Sequence, residues 1–175
     1  MNIAETINPR EQQAQLGQFM TPEVIADFMA SWLSVSSGTS AHILDAGAGR
    51  GALSRALAKV WKTQGISLKD FSLSLFEKDR SLFPELKEQV SCLGFSQVHL
   101  YEDDYILRSA EEDLAGDYTH AILNPPYKKI SSKSSHRLAL RRRGIETGNL
   151  YSAFVALALQ QLRREGQLVA IIPRS

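Results

Sequence analysis

Short runs of apolar residues alternate along this chain with longer segments in which apolar residues recur every third or fourth position. Runs without polar alternation are typical of strands buried on both faces, and the longer segments are typical of amphipathic helices. The pattern predicts strands at 42–46, 71–76, 98–101, 118–123 and 168–172, and helices near 21–36, 51–64, 82–93 and 149–164. Strands that alternate with helices predict an open, doubly wound α/β fold around a mostly parallel sheet, whose ligands bind beyond the carboxyl ends of the strands.

Composition narrows the class without indicating a function. The 175 residues are 43% hydrophobic and 22% charged, which indicates one globular domain rather than a disordered chain. The single cysteine, Cys92, excludes an internal disulfide and a cysteine-cluster metal site, and its place in a predicted helix indicates a core position. Because no apolar run reaches the length of a membrane span and the first residues lack the features of a secretory signal, we expect a cytoplasmic protein.

The charges are unevenly distributed, although their sum is only +1. Residues 102–117 contain seven acids and one arginine, whereas residues 128–143 contain seven bases and no acid. The bases of this basic segment are Lys128, Lys129, Lys133, Arg137, Arg141, Arg142 and Arg143. Such a segment is either a solvated loop or a contact surface for a polyanion, and the residues beside it must decide between the two.

Three strand ends carry residues that suit a nucleoside cofactor. Asp45 to Gly51 reads Asp-Ala-Gly-Ala-Gly-Arg-Gly after the first strand, where glycines let the chain turn sharply and let a ligand approach the backbone. Glu77 follows the second strand, where a carboxylate can accept hydrogen bonds from two ribose hydroxyls. Asp104 and Tyr105 follow the third strand, where they can bind an adenine and cover its face. These features fit NAD as well as S-adenosylmethionine, since both cofactors carry the ribose and the adenine.

The segment Asn124-Pro125-Pro126-Tyr127 follows the fourth strand. Its two prolines are stiff and lack backbone donors, so the turn is rich in acceptors, and Tyr127 adds a flat ring. Two acceptors can hold the hydrogens of a planar NH2 group while the ring stacks on the group's plane. Hydrogen bonds of this kind favour a tetrahedral nitrogen whose lone pair can attack. The turn therefore predicts chemistry at an amino group.

Taken together, these segments resemble the adenine-N6 DNA methyltransferases of restriction–modification systems in their gamma motif order, which use S-adenosylmethionine. The family's Thr-Pro segment matches Thr21-Pro22, its glycine motif matches residues 45–51, and its catalytic Asn-Pro-Pro-Tyr matches residues 124–127. The acid at its second strand end matches Glu77. The resemblance extends from about Gly17 to Pro173. It implies the Rossmann-like class I methyltransferase fold, with an N-terminal arm at 1–16 and the catalytic domain at 17–175.

The resemblance also implies a role for each matched residue. The cofactor residues are Thr21, Asp45, Gly47, Gly49 and Gly51 around the methionine part, Glu77 at the ribose, and Asp104 and Tyr105 at the adenine. The catalytic residues are Asn124, Pro125, Pro126 and Tyr127, which bind the N6 amine of an adenine flipped out of double-stranded DNA. Methyl transfer is then direct, without a metal or a covalent enzyme intermediate. Because the basic segment follows Tyr127 directly, we expect its seven lysine and arginine side chains to contact DNA phosphates.

Other functions remain open. Release-factor glutamine methyltransferases and RNA guanine-N2 methyltransferases also present Asn-Pro-Pro-Tyr to a planar NH2 group, although the Thr-Pro segment and the basic segment favour DNA. A dinucleotide oxidoreductase would fit the glycine turn but leaves residues 124–127 without a role. A cofactor-binding fragment or subunit without activity of its own is a further alternative.

The number of strands bears on this last alternative. The family's sheet has about seven strands and the pattern predicts five, so we expect the last two strands and the target-recognition domain to be missing. On this interpretation the chain is truncated or needs a specificity subunit or another partner. The open edge of the sheet would then favour self-association.

Overall fold

The sheet and its helices follow the predicted alternation closely. The structure, a computed structural model, describes residues 20–36, 38–111 and 117–174, so the expected arm at 1–16 lies outside the described residues. In chain order its elements are α1 (Glu23–Ser31), β1 (Ala41–Ala46), α2 (Ala52–Thr63), β2 (Phe71–Phe76), α3 (Phe83–Ser91), β3 (Gln97–Tyr101), α4 (Tyr105–Glu111), β4 (Tyr118–Leu123), α5 (Ser135–Arg142), α6 (Leu150–Gln161) and β5 (Leu162–Ala170).

The strands pair in parallel in the order β3-β2-β1-β4-β5, which confirms the predicted doubly wound α/β fold. The order reverses between β1 and β4, and ligands of such sheets bind at this point. β1 and β2 are paired along their whole length, with Ala41 opposite Phe71 and Ala46 opposite Phe76. The segments that follow these two strands therefore begin side by side.

Helices cover both faces of the sheet. Side chains of α1, α2 and α3 form one core layer, and those of α4, α5 and α6 form the other. Trp61 of α2 is fully buried in the first layer, and its indole N–H donates to the carbonyl of Leu33 at 3.0 Å. Two apolar layers around a parallel sheet explain why its central strands read as continuous apolar runs.

The face that α1 buries differs from the one its largest apolar residues suggest. Val24, Ile25, Phe28 and Trp32 have helical spacing, but they are 78%, 41%, 60% and 66% exposed. The buried residues of this segment are the smaller Ala26 and Ala30 together with Met29 and Leu33. Alanines let α1 approach α2 closely, so the apolar periodicity predicted the helix but not its orientation.

Two short helices and one boundary were not predicted. The segment after Asp104 forms α4 rather than a loop, and the basic segment contains α5. β5 begins at Leu162, ahead of the predicted residue 168, with an irregular register opposite Tyr118 and His120. The predicted core position of Cys92 is wrong, because this residue is exposed and caps the C-terminus of α3.

The edge strand β5 pairs with β4 and with no other strand that the structure describes. The end of β5 and the following Ile171 line a groove, and its other wall includes Ile25 and Phe28 of α1 and the Trp32 that follows this helix. Self-association through this edge stays a prediction. No helix within the described residues is long and apolar enough to cross a membrane.

Candidate active site

A cleft lies beyond the carboxyl ends of the strands, on both sides of the switch between β1 and β4. The space between its walls, including the part open to solvent at its mouth, is about 750 Å³. Seven predicted site residues line it: Gly47, Gly49, Glu77, Asp104, Tyr105, Asn124 and Pro126. The sheet thus brings together side chains that are far apart in the sequence.

The glycine turn requires its glycines. Gly47, Gly49 and Gly51 all have positive φ angles between 57° and 77°, which residues with a side chain rarely adopt. At Gly51 a Cβ atom would also lie 3.1 Å from side-chain atoms of Leu86 and Val90 of α3. The amide of Gly47 donates to the carbonyl of Phe76 at 2.8 Å and ties the turn to the end of β2. Backbone conformation and packing therefore both fix the floor of the cleft.

Glu77 joins the glycine turn to the second strand end. One carboxylate oxygen accepts from the amide of Gly49 and the other from the amide of Asp79, both at 2.8 Å. Burial raises the pKa of Glu77, and the hydrogen bonds from these amides oppose that rise. Because Glu77 lines the cleft, its carboxylate is fixed where a bound hydroxyl could donate to it.

Asp45 lies beneath the cleft rather than in its wall. It is completely buried, and Oδ2 accepts a hydrogen bond from the hydroxyl of Ser54 in α2 at 2.6 Å. Its other oxygen has no hydrogen-bond partner among the described residues. Burial raises the pKa of Asp45 to about 7, although Ser54 works against the rise. This side chain therefore ties the end of β1 to α2, and its predicted role in shaping the cofactor site stays a prediction.

Substituting Asp45→Asn should remove a pH dependence of stability. The folded-state pKa of about 7 lies above the ordinary 3.8, so between these values the folded chain keeps a proton that the unfolded chain has released. The free energy of unfolding then falls as pH rises from about 4 to about 7, and it levels off above that range. Urea unfolding at about pH 5 and about pH 7.5 should show this fall reduced by roughly 2 kcal/mol in the variant.

The exposed Asp70 provides the matched control for this measurement. Asp70→Asn should show the same fall in unfolding free energy as the unmodified chain. If Asp45→Asn also showed an unchanged fall, Asp45 would not be the titrating group.

Asn124 is held at both ends of its amide. Its nitrogen donates to the hydroxyl of Thr21 at 2.9 Å, and its oxygen accepts from the hydroxyl of Tyr127 at 3.0 Å. Thr21 was predicted to close over the methionine part of a cofactor. The structure places its hydroxyl against Asn124 instead, while the neighbouring Met20 lines the cleft. The predicted contact of Thr21 with a cofactor stays a prediction.

The chain after Asn124 is anchored to the start of α6. The amide of Leu150 donates to the carbonyl of Lys128 at 2.8 Å, and the amide of Ile130 donates to the carbonyl of Gly148 at 2.7 Å. The rings of Tyr127 and Tyr151 meet edge to face, with centroids 6.4 Å apart. These contacts fix the turn that carries the acceptors at the mouth of the cleft.

Tyr105 forms a wall of the cleft from within the core. It is only 2% exposed, and its hydroxyl donates to Oε1 of Gln161 at 2.7 Å. Its ring packs against Phe76 and Phe154, with centroids 5.2 and 5.0 Å away. A cofactor's adenine could therefore meet only the part of this ring that lines the cleft.

Sequence reasoning missed several residues of the site. Apolar side chains line the cleft beside the predicted residues, as does one lysine: Met20, Phe76, Leu82, Leu150, Phe154 and Lys78. Lys78 directly follows Glu77 at a strand end, and this position was the available signal for it. The apolar residues gave no comparable signal, because apolar residues at strand and helix ends most often belong to a core.

The basic segment is ordered and only partly exposed. Lys128, Lys129, Lys133, Arg141 and Arg142 are exposed, whereas Arg137 and Arg143 are half-buried. Glu146 forms ion pairs with Arg137 at 2.5 Å and with Arg141 at 2.9 Å. Arg137 also donates to the carbonyl of Thr147. The structure therefore holds Arg137 inside the domain, and the exposed bases are better placed for a polyanion.

Proteins of similar sequence are Type II methyltransferases. The Type II methyltransferase M.BsuBI of Bacillus subtilis is 44% identical over 97% of the present chain. M.PstI of Providencia stuartii is 38% identical over 93% of the present chain. The chain is homologous to the Type II methyltransferases. It spans about a third of the length of these relatives, 36% and 34% respectively. The resemblance to restriction–modification methyltransferases is thereby confirmed. No protein-family profile matches the chain.

Solved structures confirm the class I methyltransferase fold. A protein from Listeria monocytogenes, assigned to the class I S-adenosylmethionine-dependent methyltransferases, superposes with a TM-score of 0.70 over 91% of this chain and 48% of its own, at 16% identity. The methyltransferase subunit of a type I restriction–modification system from Streptococcus thermophilus superposes with a TM-score of 0.60 over 87% of this chain and 34% of its own, at 19% identity. The similar sequences and the similar structures therefore both belong to methyltransferases.

Proposed function

We propose that this chain binds S-adenosylmethionine and transfers its methyl group to the N6 amine of an adenine in double-stranded DNA, as part of a restriction–modification system. The observation that supports the proposal is the position of Asn124-Pro125-Pro126-Tyr127 at the end of β4, beside a cleft that carries the acidic and apolar groups a nucleoside cofactor needs. Homology to Type II methyltransferases supports DNA as the substrate.

The residues of the cleft fit this cofactor. Glu77 and Asp104 are carboxylates that line it, and they suit ribose hydroxyls and an adenine amine. Phe76 and Leu82 offer apolar surface to the base, and Gly47 and Gly49 of the glycine turn line the same cleft. When bound, S-adenosylmethionine supplies an electrophilic methyl group on a positively charged sulfur. We propose that Asp45 and the turn glycines at positions 47, 49 and 51 shape the part of the cleft that takes its methionine.

The proposed mechanism needs acceptors and a flat surface. The side-chain oxygen of Asn124 and the carbonyl of Pro125 accept the two amine hydrogens, and Tyr127 stacks on the base. Tyr127 donates to the same Asn124 oxygen, and the second lone pair of this oxygen can accept from the amine. Flipping the base costs a few kcal/mol of stacking and pairing, and binding in this pocket offsets part of that cost.

The test is to identify the nucleoside that is methylated. The chain is incubated with methyl-labelled S-adenosylmethionine and, separately, duplex DNA, structured RNA or a release factor, and digested products are analysed. We expect label in N6-methyladenine of the DNA. Label in protein or RNA alone would replace the DNA proposal with one of the other amino-methyltransferase functions. Label in cytosine would keep DNA but overturn the adenine.

The exposed lysine and arginine side chains of the basic segment should determine how strongly DNA binding depends on salt. Replacing Lys129, Lys133 and Arg142 with glutamine removes three exposed charges beside the catalytic turn. Each lost phosphate contact lowers the salt slope by about 0.9. We therefore expect the slope of log affinity against log salt to fall by about 2 to 3, measured by fluorescence anisotropy with a labelled duplex.

A matched triple variant controls for net charge. Lys62, Lys69 and Lys87 are also exposed but lie away from the cleft, in α2, before β2 and in α3. Replacing these three lysines with glutamine should leave the salt slope nearly unchanged. Equal slopes in the two triple variants would mean that the basic segment is not the DNA contact.

A further inference from the structure

A histidine that sequence reasoning did not single out joins the basic segment to the cleft. His136 lies in the first turn of α5, and its Nε2 atom is 2.9 Å from Oδ2 of Asp104. The two side chains are 22% and 20% exposed, so the contact is largely shielded from water. Asp104 lines the cleft, whereas α5 ends in the exposed Arg141 and Arg142. One hydrogen bond therefore connects the cofactor side of the site with the DNA side.

Asp104 is held through both of its oxygens. Oδ1 accepts from the amides of Ile106 and Leu107 at 3.1 and 3.3 Å, and so caps the start of α4. Oδ2 lies against His136 and is 3.7 Å from the ammonium of Lys78. Burial favours the neutral acid, but His136 and Lys78 outweigh burial and hold the pKa of Asp104 below its ordinary value. Since the amides fix one oxygen, His136 determines how the other is turned toward the cleft.

The position of His136 depends on α5 as a unit. Ser134 caps this helix by accepting from the amide of Arg137 at 3.2 Å, and Ala139 and Leu140 are buried beneath it. Arg137 is fixed by Glu146, so the first turn of α5 is well supported. A helix moves as a rigid element. DNA phosphates that bind the exposed arginines at the end of α5 and the lysines of the preceding loop therefore restrain the whole helix, including His136.

We propose that His136 is a positioning residue that couples DNA binding to cofactor binding, an inference that rests on the function proposed above. Contacts between a duplex and α5 hold His136 against Asp104, and the carboxylate then stays turned toward the adenine of the cofactor. The coupling is reciprocal, since a duplex that raises affinity for the cofactor must gain affinity from the cofactor by the same factor.

The test measures cofactor affinity with and without DNA. S-adenosylhomocysteine is titrated by calorimetry into the chain alone and into the chain saturated with a duplex of unrelated sequence. We expect the duplex to tighten binding by about tenfold in the unmodified chain, which is within the usual range of such couplings. In His136→Phe the ratio should fall to about one. In His136→Gln, which keeps an N–H donor, it should stay between these two values. His99→Phe alters an exposed histidine of β3 and should leave the ratio unchanged.

The ratio separates coupling from a merely structural role. A general loss of packing would weaken binding in both titrations and leave their ratio at about ten. That result, or a ratio of one in the unmodified chain that binds both ligands, would overturn the role of His136 while leaving the proposed function intact. An unmodified chain that binds no duplex at all would instead overturn the proposed function.

Discussion

Replacing Asn124 with alanine should lower methyl transfer to adenine by about 100- to 1,000-fold, while S-adenosylhomocysteine binds within about threefold of its original affinity. The expected loss is large because the side-chain oxygen would stabilise the amine most as the nitrogen becomes tetrahedral, and a preorganised acceptor of this kind commonly contributes 100- to 1,000-fold or more. Cofactor binding should persist because Glu77 and the glycine turn do not depend on Asn124. Single-turnover transfer and calorimetry measure the two quantities.

Two further substitutions sharpen the interpretation of this variant. Asn124→Asp keeps an acceptor but loses the nitrogen that donates to Thr21, so it should retain more transfer than the alanine variant. Gln97→Ala removes an exposed amide at the far end of β3 and should leave transfer unchanged. If Asn124→Ala lost cofactor binding together with transfer, the amine site and the cofactor site would have been assigned the wrong way round.

Substituting Glu77→Ala should weaken S-adenosylhomocysteine binding by about 100-fold. Hydrogen bonds to a carboxylate contribute roughly 1.5 to 3 kcal/mol, so losing the proposed ribose contacts corresponds to about two orders of magnitude in the dissociation constant. The same carboxylate also accepts from the amides of Gly49 and Asp79, so its removal should loosen the turn. Calorimetric titration measures the change.

A graded series distinguishes ribose binding from support of the turn. Glu77→Gln keeps one acceptor and should lose less affinity than the alanine variant. Glu88→Ala removes an exposed carboxylate of α3 and should bind as the unmodified chain does. Unchanged affinity in Glu77→Ala, with the fold intact by circular dichroism, would exclude Glu77 from the cofactor site.

Substitutions on the two sides of the cleft should therefore lower different quantities, methyl transfer at Asn124 and cofactor affinity at Glu77. In the proposed mechanism Asn124 binds the amine that accepts the methyl group and Glu77 binds the cofactor that carries it, although both residues line one cleft. The division follows from topology, since the glycine turn and Glu77 follow β1 and β2, while Asn124 follows β4 across the switch point. The relatives are nearly three times as long as this chain.

The apolar pattern predicted the sheet well because the central strands β1, β2 and β4 are buried on both faces. Strands buried in this way leave little choice of residue, and the bounds of β2 and β4 match the prediction at both ends. The two short helices were missed for the opposite reason. α4 begins after an acidic pair that reads as a loop, and α5 is so rich in arginine that Ala139 and Leu140 alone form its buried face.

By itself the sequence determined which chemical groups stand at each strand end. Glycines where the turn needs positive φ, a carboxylate after β2 and a stiff turn rich in acceptors after β4 are local features, and local features can be read without coordinates. Only the tertiary structure decided which of these groups meet. It placed Thr21 against Asn124, put Asp45 beneath the cleft, held Arg137 at Glu146 and joined His136 to Asp104. Such contacts depend on how helices pack on the sheet, and packing couples residues whose separation along the chain carries no information about their distance in space.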